Sequence, residues 1–167
     1  RPHTALRAEA PGGDTGKVPH RKRGLGEVVL GFDHIADYQN VPSDFGASIG
    51  RYANRIDHGR LVIDGDTVQL PQNNFGHCLH GGPAGWQYKV YEARQLDGKT
   101  LELYMDSPDG DENFPGHVKA KVTYNLTDDN AIVIAYEATT DAPTVVTMTN
   151  HPHLKLSGAP PRPHPHH

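Results

Sequence analysis

A histidine followed at once by two glycines is the feature of this sequence best suited to chemistry. It closes the polar run at residues 73–82, which reads Asn-Asn-Phe-Gly-His-Cys-Leu-His-Gly-Gly. Gly81 and Gly82 lack a Cβ, so backbone and ligand can come close to the His80 imidazole. Imidazole titrates near neutrality and can transfer protons. The same run is also typical of a simple turn beside a buried histidine, so the choice between a functional and a structural role depends on the rest of the chain.

Three further polar segments carry residues that a plain strand does not need. Residues 50–56 hold two arginines and an asparagine, residues 107–116 form an acidic loop, and residues 149–153 end in Asn-His-Pro-His. Each segment alone is typical of solvated surface or of a turn. Together they predict Asn, Arg and His side chains at strand ends, and these donors suit neutral, hydroxyl-rich ligands such as sugars.

Short strands separated by turns must position these residues. Asp64-Gly65-Asp66 between two apolar runs is a strong hairpin signal. Residues 117–126 alternate apolar and polar side chains, whereas 131–138 are apolar on both faces, as in a strand covered on each side. The pattern predicts antiparallel β structure, a sandwich or barrel, with no helix of useful length after residue 60. The predicted strands are residues 61–63, 67–70, 87–95, 100–105, 117–126, 131–138 and 145–149.

The beginning of the chain has a different character. Residues 1–25 contain Pro, Gly, Arg and His with few consecutive apolar residues, which predicts an irregular tail without helix or strand. Residues 27–32 are the first predicted strand. Asp33 can then cap a short helical turn through Ile35, Ala36 and Tyr38, which Pro42 closes.

Composition narrows the class of protein. The chain has 167 residues, 35% hydrophobic and 22% charged, which fits one globular domain. Its net charge of −4 and scattered basic residues argue against nucleic acid as a partner, and no segment suggests a membrane. Cys78 has no second cysteine to pair with, and no apolar core of a signal peptide precedes it. These features favour a reducing compartment, and we expect the cytoplasm.

The four polar motifs, in this order, resemble the aldose 1-epimerase (galactose mutarotase) family. The resemblance covers about residues 26–158 and corresponds to the N-terminal half of that family. It implies an incomplete, all-β antiparallel β-sandwich of the galactose mutarotase type, and an isomerase that interconverts the α and β anomers of aldohexoses such as galactose and glucose. It implies no metal and no organic cofactor. The expected division is an irregular tail at 1–25, the epimerase part at 26–158 and a Pro/His-rich tail at 159–167.

The resemblance also implies roles for individual residues. Asn54 and Arg55 would bind sugar hydroxyls, His80 would contact the sugar where the ring opens, and His151 would be the general acid that protonates the ring oxygen. His153 stands where the family has a tyrosine and would take over its contact with the substrate. The residue types agree, because opening a cyclic hemiacetal requires one proton to leave the anomeric hydroxyl and another to reach the ring oxygen.

Besides His153, a second departure from the family pattern limits what we expect of this chain. Family members continue for roughly as long again, and that half supplies a glutamate general base and an aspartate that binds the sugar. We therefore expect a truncated or frame-disturbed gene product that is inactive alone. Replacement bases could come from the acidic loop, but we expect its carboxylates Asp109, Asp111 and Glu112 to face water, where they are weak bases.

Two alternatives remain open from the residues. One is a non-catalytic, metal-binding β-barrel of cupin type, in which His77 with His80 and His151 with His153 supply imidazole ligands. Against it, no carboxylate follows His153 closely, and only sugar binding explains Arg55. The other is a sugar-binding module without catalysis. The histidines at 164–167 can themselves bind metal, so any metal assay must remove them.

Overall fold

The computed structural model describes residues 29–154, apart from 33 and 42, together with the backbone of four short strands between residues 9 and 27. Strands dominate this part of the chain. They are β1 (Glu9–Ala10), β2 (Gly13–Asp14), β3 (Lys17–His20), β4 (Gly24–Glu27), β5 (Ser48–Ile49), β6 (Arg55–Ile56), β7 (Arg60–Ile63), β8 (Asp66–Gln69), β9 (Cys78–Leu79), β10 (Glu92–Gln95), β11 (Thr100–Ser107), β12 (Val118–Leu126), β13 (Ile132–Thr140) and β14 (Thr149–Asn150). The helix α1 spans Ile35–Asn40, and single 3₁₀ turns occupy Asp57–Gly59, Trp86–Tyr88 and Asp111–Asn113.

The main sheet is antiparallel, with the strand order β10-β11-β12-β13. In β12, Val118, Ala120 and Val122 are buried and alternate with Lys119 and Lys121, so the predicted period of two is confirmed. The buried face packs in one core cluster with residues from β11 and the segment before β10. That cluster comprises Trp86, Tyr91, Leu103, Met105, Val118, Ala120 and Val122.

Strand β13 corrects one expectation. Its apolar residues on both faces predicted cover on each side, but in the described residues it pairs with β12 alone and forms the edge of the sheet. Ile132 is 60% exposed and Val133 is 51% exposed. Local composition does not determine what covers a strand, and here the apolar faces are open.

The hairpin β7–β8 was correctly predicted from Asp64-Gly65. Ile63 pairs with Asp66, and the two residues between them have φ angles of 51° and 90°. Glycine and aspartate tolerate this left-handed conformation, which matches the twist of a two-residue hairpin turn.

Two small antiparallel ladders bring distant motifs together. In the first, β6 pairs with β9 so that Arg55 lies opposite Leu79. In the second, β14 pairs with β5 so that Thr149 lies opposite Ile49. A second core cluster of Leu70, Cys78 and Phe114 packs beneath the first ladder, with Ile56 against it. The segments around residues 54, 80 and 150 therefore meet on one side of the molecule.

The N-terminal expectations were partly wrong. The backbone between residues 9 and 27 forms the pairs β1–β2 and β3–β4, where we expected no strands. Residues 29–32 form only a bridge between Val29 and Leu154 rather than a strand. The short helix is confirmed as α1, but His34 occupies its N-cap; Asp33 and Pro42, expected to begin and close it, lie outside the described residues.

Two predicted strands are shorter than expected, and the C-terminal tail lies outside the described residues. The strand predicted at 87–95 begins at Glu92, because Trp86–Tyr88 forms a 3₁₀ turn. The strand predicted at 145–149 is reduced to a parallel bridge between Tyr52 and Thr147, followed by β14. The division of the chain into two tails and a domain stays a prediction.

Candidate active site

An open cleft of about 620 Å³ lies where the two small ladders meet. Its walls come from the ends of β6 and β9 and from the segment that leads into β14. Four residues expected to act on a sugar, Asn54, Arg55, His80 and His151, are among those that line it. The complete lining is Ala53, Asn54, Arg55, Leu79, His80, Thr147, Met148, Thr149 and His151.

His80 and Asn54 hold each other through two hydrogen bonds. The Asn54 backbone N–H donates to His80 Nδ1 at 2.9 Å, and the His80 N–H donates to the Asn54 carbonyl at 3.0 Å. The φ angles are positive, 68° for Asn54 and 51° for His80, and the two hydrogen bonds stabilise this left-handed backbone. Because Nδ1 accepts this hydrogen bond, a neutral His80 carries its own proton on Nε2.

The environment keeps His80 neutral. Burial lowers the pKa of its imidazole from the ordinary value of 6.5, and the nearby charges of His151 and Arg55 lower it further. Asp44 opposes these effects by raising the pKa. A neutral ring with Nε2–H can donate a hydrogen bond to an oxygen in the cleft.

His151 faces His80 with its ring edge-on. The ring centroids are 5.2 Å apart, and the ring planes meet at 76°. The His151 backbone is fixed to the chain before β5, because its N–H donates to Ala47 and its carbonyl accepts from Gly46, each at 2.9 Å. Two imidazoles from different segments thus meet at one cleft.

His153 lies behind His151 rather than in the cleft lining. Its ring centroid is 5.2 Å from that of His151 and 4.6 Å from that of Phe45. The expected contact of His153 with a sugar remains a prediction.

Two asparagines in the run at 73–82 have roles that sequence reasoning missed. Asn74 Oδ1 accepts a hydrogen bond of 3.0 Å from Arg55 Nε and so orients the guanidinium. Asn73 bonds both backbone groups of Leu79, with distances of 2.7 and 3.0 Å. Their position in a polar run before His80 was visible, but their partners depend on the β6–β9 ladder.

The two arginines of residues 50–56 differ in environment. Arg55 is exposed beside the cleft, whereas Arg51 is 1% exposed. Arg51 donates to the carbonyls of Ser107, Pro108 and Pro115 at 2.8–3.0 Å and to Ser107 Oγ at 3.0 Å. It therefore ties the acidic loop to the strand segment that leads to Asn54.

The acidic loop is more buried than expected. Asp111 forms an ion pair with Lys89 and accepts a hydrogen bond from Ser107 Oγ. Glu112 lies against Gly82, and burial raises the pKa of its carboxyl. The expectation that these two carboxylates face water was wrong; only Asp109 is exposed, and it accepts the Gly116 N–H at 2.6 Å. No carboxylate belongs to the cleft lining among the described residues.

Asn150, next to His151, anchors β14 to the main sheet. Its Nδ2 donates to Tyr124 Oη at 2.9 Å and to the Gly46 carbonyl at 3.2 Å, and Ser48 Oγ lies 3.0 Å from the same Tyr124 oxygen. Sequence reasoning grouped Asn150 with the polar cluster but did not identify this structural role.

The described histidines do not form the metal sites of the cupin-type alternative. Among the described residues, neither the pair His77 and His80 nor the pair His151 and His153 lies in a group of three ligand side chains that could hold a metal ion. The rings of His151 and His153 are tilted by 41° to each other, with centroids 5.2 Å apart.

No helix in the described part of the chain is both long and apolar enough to span a membrane.

Comparisons with known proteins identify the family of this chain. Aldose 1-epimerase from Escherichia coli is 41% identical over 142 residues, which are 85% of this chain and 41% of that protein. Galactose mutarotase from Rattus norvegicus is 39% identical over the same shares. The crystal structure of the GalM/aldose epimerase homologue from C. elegans superposes with a TM-score of 0.81 at 33% identity, covering 86% of this chain and 44% of that one.

The chain spans about two-fifths of the length of these curated relatives. The superposition confirms the predicted all-β fold of the galactose mutarotase type. The sequence profile of the family described as aldose 1-epimerase matches residues 16–166. The chain therefore belongs to the aldose 1-epimerase family.

Proposed function

We propose that this chain contributes half of the active site of an isomerase that interconverts the α and β anomers of aldohexoses such as galactose and glucose. The observation that carries the proposal is the meeting of His80 and His151 in one cleft, with Asn54 and Arg55 beside them. The names of the relatives, aldose 1-epimerase and galactose mutarotase, support the same substrate class.

In the proposed reaction, His151 delivers a proton to the ring oxygen while a base removes the proton of the anomeric hydroxyl. The ring then opens to the aldehyde, the freed bond rotates, and the ring closes on the other face. His80 has a different role: with Nδ1 occupied and its pKa lowered by burial, its neutral Nε2–H donates a hydrogen bond to a sugar oxygen. This division of roles leaves proton transfer to His151.

Asn54 and Arg55 would bind the sugar hydroxyls. Arg55 is held at one end by Asn74, so the remaining guanidinium N–H groups can serve the ligand. His153 would contact the sugar from beside His151, with Phe45 against its ring.

The buried Cys78 thiol is free, which suits our proposal of a cytoplasmic protein.

The base must come from outside the described lining, because no carboxylate belongs to it. We therefore expect that this chain alone does not accelerate mutarotation above buffer and binds sugars weakly. Each missing hydrogen bond costs about 0.5–1.5 kcal/mol, so several together reduce affinity by orders of magnitude. Polarimetry on freshly dissolved α-D-glucose or α-D-galactose tests the absence of acceleration, and calorimetry tests the weak binding.

A chimera tests the proposal itself. Residues 29–154 of this chain replace the matched segment of the Escherichia coli relative, and the product is assayed by polarimetry. We expect acceleration that falls by about 10²-fold or more in the chimera with His151→Ala. His117→Ala, which changes a histidine outside the cleft lining, is the matched control and should leave the rate unchanged.

The possible results separate the candidate functions. A folded chimera that neither binds nor converts the sugar would overturn the proposal. Sugar binding without conversion, when His151 is intact, would favour a binding module instead. Acceleration by this chain alone, lost in His151→Ala, would place a base within its own residues.

A further inference from the structure

We propose that Asp57, His58 and His77 form a binding site for a divalent transition-metal ion such as Zn²⁺, separate from the sugar cleft. The three side chains each offer one ligand atom, and these atoms lie within 4.8 Å of one another. Asp57 Oδ1 is 2.9 Å from His58 Nδ1 and 3.1 Å from His77 Nδ1. The proposal stands on these contacts and does not depend on the proposed function.

The backbone brings the three residues together. In the β6–β9 ladder, Arg55 pairs with Leu79 and Ile56 with Cys78, so the chain continues with Asp57 on one side and His77 on the other. His58 follows with a φ angle of 49°, and this left-handed residue turns its ring onto that of His77, with centroids 5.1 Å apart.

Two glutamines hold the turn in place. Gln69 Nε2 and Gln72 Nε2 both donate to the His58 carbonyl, at 2.9 and 2.8 Å. The His58 carbonyl therefore keeps its position whether or not its side chain binds an ion. Such support lowers the conformational cost of gathering the ligands.

The spacing of the ligand atoms suits a small cation. Zinc binds imidazole nitrogen and carboxylate oxygen at about 2.0–2.2 Å, so neighbouring ligand atoms in a tetrahedral site are about 3.3–3.6 Å apart. The two contacts to Asp57 Oδ1 are slightly shorter than this, and all three ligand atoms lie within 4.8 Å of one another, so binding requires a rearrangement of side chains at the surface.

One contact in the cluster is electrostatically unbalanced. His77 Nδ1 accepts the backbone N–H of His58, so it presents a lone pair while Asp57 Oδ1 lies 3.1 Å away. Two electron-rich atoms at this distance repel each other unless a proton or a cation lies near both. A metal ion would take over the Nδ1 lone pair from the N–H and neutralise the carboxylate.

The ligand types select the class of metal. Two imidazoles with one carboxylate favour zinc, copper or nickel over the oxygen-binding ions Mg²⁺ and Ca²⁺. Cys78 follows His77 but is not available, because its side chain is buried in the second core cluster with Leu70 and Phe114. The remaining coordination positions are open to water, since Asp57 and His58 are exposed.

Equilibrium dialysis against ZnCl₂, with the metal measured by mass spectrometry, tests the proposal. The protein is the full chain carrying His164→Gln, His166→Gln and His167→Gln, which removes the histidines of the tail. We expect one zinc per chain, and an affinity about 10-fold or more weaker after Asp57→Asn, His58→Gln or His77→Gln. His117→Gln is the matched control, because His117 also contacts a carboxylate, that of Asp106, but belongs to no group of three such ligands among the described residues.

Excess Mg²⁺ should not displace zinc, because two imidazoles with one carboxylate favour zinc over an oxygen-binding ion. If His77→Gln disturbs the near-ultraviolet circular dichroism, the exposed His58→Gln decides alone. Absence of stoichiometric zinc in the tail-substituted chain would mean that the cluster holds histidine–carboxylate ion pairs only, and would overturn the proposal. Zinc retained after all three substitutions would overturn it as well.

Discussion

The neighbours of His80 determine which ring nitrogen carries its proton and whether the ring is charged. The Asn54 N–H occupies Nδ1, and burial opposes a second proton on the ring. In the unfolded chain neither effect operates, so the imidazole returns to its ordinary pKa of 6.5. Folding therefore competes with protonation at this residue.

We predict that stability falls on acidification and that His80 contributes to the fall. The folded pKa lies below the unfolded one, so its contribution is complete above pH 6.5 and is lost as the pH drops through the folded pKa. His80→Asn keeps an acceptor near Nδ1 but cannot be protonated. Urea denaturation midpoints between about pH 8 and pH 5 should therefore decline less steeply in this variant.

The control for this prediction is His34→Gln, since His34 is exposed and makes no side-chain cap for α1. It should follow the parent curve. An unchanged acid slope in His80→Asn would contradict the account of His80 as a ring kept neutral by burial.

The polar motifs and the family resemblance that they carry identified residues of the cleft better than those that support it. Asn54, Arg55, His80 and His151 were named through that resemblance, and all four line the cleft. The structural role of the buried Arg51 was not predicted, because the sequence does not distinguish an arginine that donates to buried carbonyls from one exposed to solvent. Its role depends on contacts with residues 56 to 64 positions away.

At the scale of elements, the double glycine matters because two segments of backbone come very close. A Cβ on Gly81 would lie 2.0 Å from the Gly50 carbonyl oxygen and 2.8 Å from Arg51 N. Gly81 also has a φ angle of 81°. This contact holds the His80 turn against the segment that leads to Asn54.

We predict that Gly81→Ala destabilises the fold much more than Gly76→Ala. Gly76 has nearly the same φ angle, 80°, but a Cβ added there would meet nothing within 4 Å. Gly76→Ala should cost about 1 kcal/mol for the left-handed backbone alone, and Gly81→Ala at least about 2 kcal/mol more from the clash. Denaturant midpoints measure both; equal losses would show that the close approach to Gly50 is unimportant.

Elements were predictable where the signal is local. Asp64-Gly65 determined the β7–β8 turn because the conformation is set by those two residues. The limits of the strands at 87–95 and 145–149 were not predictable, because pairing partners elsewhere in the chain decide where a strand ends. The same holds for β13, whose apolar residues indicate a strand but not what covers it.

At the scale of the whole molecule, the sheet ends in an open edge. Strand β13 pairs on one side with β12, and no other described strand lies on its outer side. Ile132, Val133 and Tyr136 are exposed there. Unpaired backbone groups beside apolar side chains can add a strand from another molecule.

We predict that the chain self-associates through β13 and that Val133→Lys reduces this association. This substitution replaces an exposed apolar side chain with a charged one, so a second copy that packs there would lose apolar contact and would have to desolvate the charge. Thr139→Lys is the matched control, since Thr139 is an exposed residue of the same strand that would not remove apolar surface. Sedimentation velocity over a range of concentrations should show a larger monomer fraction for Val133→Lys than for the parent or for Thr139→Lys. A parent chain that stays monomeric at all concentrations, with a cooperative melt, would show that the open edge does not promote association.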